Sequence, residues 1–213
     1  MKVCIITATE FEINESLKKV SSSTKNEIIF KISGVGMLAT SVSLMEIIFN
    51  ENPDIIIQIG IAGCFDKTEK LGKVFSIEEE LLGDLGVIEN NSWKDIFDLK
   101  LIQPNQKPFK KKSLINKNLL KLNKTNLPFA KSISVNQITT QESQIDKLLK
   151  KYNPLIENME GAALHYIGNL KRIQYLQIRS ISNYVGERNK ANWKLELAIK
   201  NLNKEVIRLI KQL

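Results

Sequence analysis

The chain is poor in several residue types, and each shortage excludes something. Its 213 residues include two cysteines, one histidine, five prolines and two tryptophans. Cys4 and Cys64 lie in a buried-strand pattern and beside a glycine turn, with no Cys-x-x-Cys or Cys/His spacing around them. Neither a disulfide framework nor a zinc site is therefore expected. No apolar stretch approaches the roughly 20 residues of a membrane span. The run at residues 2–8 meets Glu10 and Glu12 too soon to be a signal peptide, so a cytoplasmic protein is expected, with no membrane partner. No internal repeat or low-complexity linker divides the chain, and one domain over 1–213 is expected.

The apolar fraction of 43% suffices for a proper core, which excludes disorder. A net charge of +8 would suit a phosphate-rich partner, but the cations are spread along the chain. The segment 104–131, with Lys110, Lys111 and Lys112 in a row, lacks interleaved aromatics and reads as a solvated insertion. Nucleic acid is therefore not expected as a partner.

Short β-rich apolar runs alternate with segments of helical period. That is the pattern of an α/β protein, a mixed, mostly parallel twisted sheet flanked by helices. Strands are predicted at 2–8, 28–33, 54–59, 74–82, 132–138 and 175–181, and helices at 10–20, 37–50, 140–151, 160–169 and 193–211. Thr139 with Glu142 three residues on reads as a capping box for the third helix. Leu195, Ile199, Leu202, Val206, Leu209 and Leu213 form one stripe of the last.

In such a sheet ligands bind beyond the carboxyl ends of the strands, so chemistry is sought there. The candidate segments are 7–12, which carries Glu10 and Glu12; 33–36, with Gly34 and Gly36; the turn of Gly60, Ile61, Ala62 and Gly63; 158–163, where Met159 and Glu160 open a helix; and 179–183, with Arg179, Ser182 and Asn183. Gly34, Gly36 and Ala39 imitate a dinucleotide fingerprint. Yet they follow the second strand, and Asp54 opens the next strand where a ribose-binding acid should end it. No nicotinamide, flavin or other cofactor is expected.

Together these segments are more specific than any one of them. In order and approximate spacing, Glu12, the Gly60 to Gly63 turn, Met159-Glu160-Gly-Ala-Ala163 and Arg179-Ser-Ile-Ser-Asn183 resemble the methylthioadenosine/adenosylhomocysteine nucleosidase family, within the purine nucleoside phosphorylase superfamily. Gly83-Asp-Leu-Gly86, Asn158-Met-Glu-Gly161 and Ile178 through Arg188 resemble the futalosine hydrolase branch most. The likeness runs to about Lys211 and is weakest in the Lys-rich middle. It implies a nucleoside phosphorylase-like fold, a purine nucleoside substrate, hydrolysis of the N-ribosidic bond and a homodimer.

Cleaving that bond passes through an oxocarbenium-like sugar, which calls for an activated water, stabilisation of the ribosyl cation and relief of charge on the departing base. The resemblance assigns Glu12 as the general base for the water and Glu160 as the acceptor for the ribose hydroxyls, with Met159 packing on the sugar. Gly60, Ile61, Ala62 and Gly63 would approach the ligand by backbone. Ile138 and Thr139 would flank the base, Ile138 replacing the family's usual aromatic. Ser182 and Asn183 would hold the base. The adenine-specific branch has aspartate at position 183; an asparagine amide can instead donate to the acceptor edge of a 6-oxopurine. Arg179 is expected to position the site by hydrogen bonds, His165 to be a packed or solvated helical residue, and Trp93 and Trp193 to serve packing.

The leading expectation is thus hydrolysis of futalosine to hypoxanthine, a step towards menaquinone. The alternatives are an adenine-releasing nucleosidase, a phosphorylase, and a non-catalytic purine- or RNA-binding module.

Overall fold

The computed structural model describes residues 1–14, 17–18 and 24–213. The strands are β1 (Lys2–Thr7), β2 (Glu27–Ile32), β3 (Ile55–Cys64), β4 (Val74–Leu82), β5 (Gly86–Glu89), β6 (Ser92–Asp95), β7 (Leu114–Ile115), β8 (Phe129–Ser134), β9 (Ile156–Asn158) and β10 (Gln174–Tyr184). The helices are α1 (Met37–Glu51), α2 (Leu119–Leu122), α3 (Glu142–Tyr152), α4 (Gly161–Lys171) and α5 (Leu195–Ile210). No described helix is long and apolar enough to cross a membrane.

The sheet is mixed and mostly parallel, as expected. β1 pairs in parallel with β2 and β3, β3 with β10, and β8 with β4 and β9. Antiparallel pairing of β3 with β9 and of β4 with β10 then closes β3, β9, β8, β4 and β10 into a ring, leaving β1 and β2 as an open extension. Parallel strands covered by helices bury both faces, which is why β1 is nearly all apolar. Its alternate residues serve two cores. Val3 and Ile5 pack with Ile57, Leu202, Val206 and Leu209 under α5, whereas Cys4 and Ile6 pack with Leu44, Ile47 and Leu164 under α1 and α4. Each such buried side chain is stabilising by about 1.5–3 kcal/mol. The stripe read on the last helix divides accordingly. Leu202, Val206 and Leu209 are fully buried, while Leu195 and Ile199 are half-buried at the cavity described below.

Several expectations need correction. Gly60, Ile61, Ala62 and Gly63 do not form a turn; they continue β3, because ring closure supplies a ladder partner on β10 along this stretch and on β9 at Gly63. β10 likewise runs past Ile181 through Ser182 and Asn183. β8 ends at Ser134, leaving Ile138 and Thr139 in the following loop. The capping box at Thr139 is absent. Gln141 precedes α3, and the Thr139 N–H goes to Glu157 instead. The 104–131 segment is no solvated insertion: β7 pairs with β4, and Phe109, Leu114, Leu119 and Leu122 are buried. The helix predicted at 10–20 opens as a 3-10 turn over Glu10–Glu12, and its positions 15, 16, 19 and 20 lie outside the described residues.

Candidate active site

A cavity of about 390 Å³ opens at the carboxyl ends of β1, β3 and β10. It is lined by Glu12, Ile61, Ala62, Gly63, Ile138, Met159, Glu160, Ser182 and Asn183 among the expected residues. Gly60 and Thr139 are buried just beyond its wall.

Glu12 reaches the cavity because the chain leaves β1 at Thr7 and folds back through the 3-10 turn. The turn is tied to α5 by Asn203, whose Nδ2 donates to the Glu12 carbonyl at 2.8 Å and whose Oδ1 accepts from the Asn14 N–H at 3.0 Å. The Glu12 carboxylate is itself held. Oε2 accepts from the Thr7 hydroxyl at 2.5 Å and the Thr9 N–H at 3.1 Å, and Oε1 accepts from the Ile61 N–H at 3.0 Å. A carboxylate pinned from three directions keeps one orientation, which suits a group that must aim at one water molecule.

Glu160 sits at the N-terminus of α4, where the helix dipole favours an anion. Its Oε1 accepts from the Gly36 N–H at 3.2 Å, and its Oε2 lies 3.3 Å from Arg179 Nη2. Gly36 belongs to the segment that imitates a dinucleotide fingerprint. In the fold its amide, at a φ of 91° that suits glycine, is spent on this carboxylate.

Beneath the cavity lies a buried polar network. Arg179 Nη2 donates to Gln58 Oε1 at 3.3 Å and to Asn158 Oδ1 at 3.2 Å, so Arg179 makes hydrogen bonds of the kind expected of it. A Cβ on Gly60 would collide with Arg179 Nη1 and lie 3.0 Å from Glu12 Oε1. Glycine is thus required there to let the guanidinium slide under the strand beside Glu12. Asn158 is the hub. Its Oδ1 also accepts from the Glu160 and Gly161 N–H groups, and its Nδ2 donates to Ser132 and to both oxygens of Glu80. Burial pushes the Glu80 carboxyl up to about 7, against the pull of Arg179. His165 is a packed helical residue. Its Nδ1 pairs with the Leu114 carbonyl at 3.0 Å, and burial pushes it down to about 4.

Other lining residues escaped the sequence reading. Ala8, Thr9, Phe11 and Val35 edge the mouth, and Leu195 and Ile199 on α5 supply an apolar wall. Trp193, expected only to pack, lines the cavity with the Arg188 guanidinium 5.6 Å above its ring. Glu157 is also in the lining. Its Oε1 accepts from the Thr139 N–H at 3.1 Å, its Oε2 has no partner, and burial raises its pKa. An isolated acid in a three-residue strand carries no periodic signal, and only the pairing of β9 with β3 brings it here.

A ring-closed, mostly parallel sheet with two anchored acids at its carboxyl edge defines the class: an enzyme of the nucleoside phosphorylase and nucleosidase type. The chain belongs to the phosphorylase superfamily, whose model it matches over residues 2–212. It is 22% identical over 184 residues to a futalosine hydrolase of Thermus thermophilus, covering 85% of this chain and 80% of that one. It is 24% identical over 200 residues to a 5′-methylthioadenosine/S-adenosylhomocysteine nucleosidase of Tolumonas auensis, covering 88% and 83%. Among solved structures, the fold matches native futalosine hydrolase of Helicobacter pylori with a TM-score of 0.81 at 16% identity, covering 100% of this chain and 98% of that one. It matches an adenine-bound nucleosidase of that second type from Colwellia psychrerythraea at 0.80 and 20%, covering 100% and 96%. The enzyme class expected from the sequence, an N-glycosyl hydrolase cleaving N-ribosidic bonds, is the class of both curated relatives.

Proposed function

We propose that this enzyme hydrolyses the N-ribosidic bond of a 6-oxopurine nucleoside, futalosine first among them, releasing hypoxanthine and dehypoxanthine futalosine on the route to menaquinone. One observation carries the reading: Glu12 and Glu160 line a single cavity, each with its carboxylate fixed by hydrogen bonds or an ion pair.

In this reading Glu12 orients and deprotonates the attacking water. The ribose hydroxyls donate to Glu160, and Met159 and Ile61 pack on the sugar. As the C–N bond lengthens, positive charge grows on the ribosyl carbon between two carboxylates, which lowers the barrier electrostatically. Asn183 takes up charge on the departing base by donating a hydrogen bond to it, with Ser182 holding its amide and Ile138 and Thr139 flanking the ring.

Water is favoured over phosphate as the nucleophile by the charge of the lining. Among the described residues it carries Glu12, Glu157 and Glu160 against a single cation, Arg188. A dianion entering there would be repelled. Arg188, exposed at the cavity and stacked on Trp193, supports a substrate that carries a carboxylate beyond its ribose, which favours futalosine over methylthioadenosine.

A cytoplasmic homodimer completes the proposal. The dimer is supported by an apolar stripe on the outer face of α1, made of Leu38, Val42, Met45 and Phe49, with Phe11 and Val35 also exposed at the cavity mouth. Leu38 and Phe49 are 82% and 88% exposed in the single chain. Side chains so placed suit an isologous contact.

The test is incubation with futalosine, methylthioadenosine and inosine in phosphate-free buffer, with identification of the base released. Hypoxanthine from futalosine at the highest kcat/KM is expected. Faster release of adenine would overturn the substrate, and a strict need for phosphate would overturn the hydrolysis.

A further inference from the structure

Glu157, Gly63 and Asn183 form one row across three adjacent strands: Gly63 is in register with Glu157 of β9 on one side and with Asn183 of β10 on the other. Residues in register on neighbouring strands project to the same face, so the glycine sets no side chain of its own between a carboxyl and an amide. An added Cβ on Gly63 would lie 3.1 Å from Val185 Cγ2 and 3.6 Å from Asn183 Nδ2. All three residues line the cavity.

The hydrogen-bonding capacity left over in this row is specific. Asn183 Oδ1 accepts from the Ser182 hydroxyl at 2.8 Å, and Nδ2 donates one hydrogen to the Tyr184 carbonyl at 3.0 Å, leaving one amide hydrogen free. Glu157 Oε1 is committed to the Thr139 N–H at 3.1 Å, while Oε2 is buried without a partner. The side chain itself is only 6% exposed. Buried polar atoms in folded proteins are satisfied as a rule, so an orphan oxygen at a ligand cavity marks a place where the ligand supplies the donor.

We infer that Glu157 is a base-reading residue whose Oε2 accepts the N1–H of a 6-oxopurine while Asn183 donates to the neighbouring acceptor edge. The assignment rests on the proposed nucleosidase reading and deepens it. A 6-oxopurine presents acceptors at O6 and N7 and a donor at N1, which match one free amide hydrogen and one free carboxylate oxygen. A 6-aminopurine has a lone pair at N1 instead and would set it against the carboxylate. Burial raises the pKa of Glu157 although the hydroxyl and N–H of Thr139 both favour its anion, so a further N–H donor would stabilise the charged form.

The deciding variant is Glu157→Gln. Its oxygen can keep the Thr139 N–H, which holds the side chain in register and leaves the amide group where Oε2 stood. The position then turns from acceptor to donor. Titration calorimetry with free hypoxanthine, 1-methylhypoxanthine and adenine isolates the base site from anything on the ribose. The native protein should bind hypoxanthine about 10- to 100-fold more tightly than 1-methylhypoxanthine, the range of a hydrogen bond to a charged group. In E157Q that ratio should collapse, and the preference for hypoxanthine over adenine should fall by at least about tenfold. Unchanged ratios in a folded E157Q, or an equal loss of affinity for both bases, would overturn the role of Glu157. Nucleoside hydrolysis by the native protein, measured in parallel, separates the two readings. Failure of hydrolysis removes the proposed function and this inference with it, whereas hydrolysis with unchanged base-binding ratios removes the inference alone.

Discussion

Arg179 Nη2 and Glu160 Oε2 face each other at 3.3 Å, the guanidinium buried and the carboxylate nearly so at the cavity wall. The pair is not an isolated ion pair, since the same nitrogen also serves Gln58 and Asn158, which in turn caps the helix behind Glu160. Removing one partner of a buried pair strands the other. Arg179→Met should therefore destabilise the fold by about 3–5 kcal/mol. Urea denaturation at constant m-value checks this; a loss under 1 kcal/mol would mean the network relaxes around the gap.

Glu12→Gln keeps the size and most of the hydrogen bonds of the side chain but cannot take a proton from water. We expect kcat to fall by roughly 10²- to 10⁴-fold with nucleoside affinity little changed. Single-turnover rates beside equilibrium binding separate the two. Loss of binding with intact chemistry would reassign Glu12 to substrate recognition.

Asn183→Asp sets a new acceptor against the Tyr184 carbonyl that the amide now serves at 3.0 Å. Protonated, the carboxyl gives its one hydrogen to that carbonyl, and its other oxygen, besides the Ser182 hydroxyl, can accept from the 6-amino group of adenine, while no donor is left for a 6-oxopurine. The ratio of adenine to hypoxanthine release should rise at a stability cost of about 1–3 kcal/mol. An unchanged ratio in competition assays would dissociate position 183 from base choice.

Glu80 and His165 make opposite contributions to the pH dependence of stability. The Glu80 pKa is raised from 4.5 to about 7, so its contribution is full below 4.5 and is lost as pH rises through 7. That of His165 is lowered from 6.5 to about 4, so its contribution is full above 6.5 and is lost as pH falls through 4. Between about 4.5 and 6.5 the two slopes offset. Glu80→Gln removes the first, and its stability should fall more steeply on acidification through this window than that of the native protein. Parallel denaturation curves for the two proteins would contradict the assignment.

The apolar stripe on α1 predicts that Leu38→Lys combined with Phe49→Glu converts a dimer to a monomer, because paired charges at a contact core are not tolerated. Sedimentation velocity reads the mass directly. A native monomer would overturn the dimer, and a dimer that survives both changes would place its interface elsewhere.

Much of the course of the chain, and the choice of Glu12 and Glu160 as candidates, were legible in the sequence. Apolar runs flanked by polar turns located β1, β2, β4 and most of β10, and the helical periods located α1, α4 and α5, since hydrophobic periodicity is a local property of the chain. Glu12 and Glu160 stood out because each follows or opens such an element. The tertiary structure alone decided how the sheet ends. Closure of the ring is a pairing of β3 with both β9 and β10, a relation between residues far apart in sequence, and it turned an apparent glycine turn into a strand. The same closure set Glu157 across Gly63 from Asn183 and slid Arg179 beneath Gly60. A strand of three residues has no period to read, and a glycine that makes room for a guanidinium looks the same in sequence as one that makes a turn; only the neighbours brought by folding distinguish them.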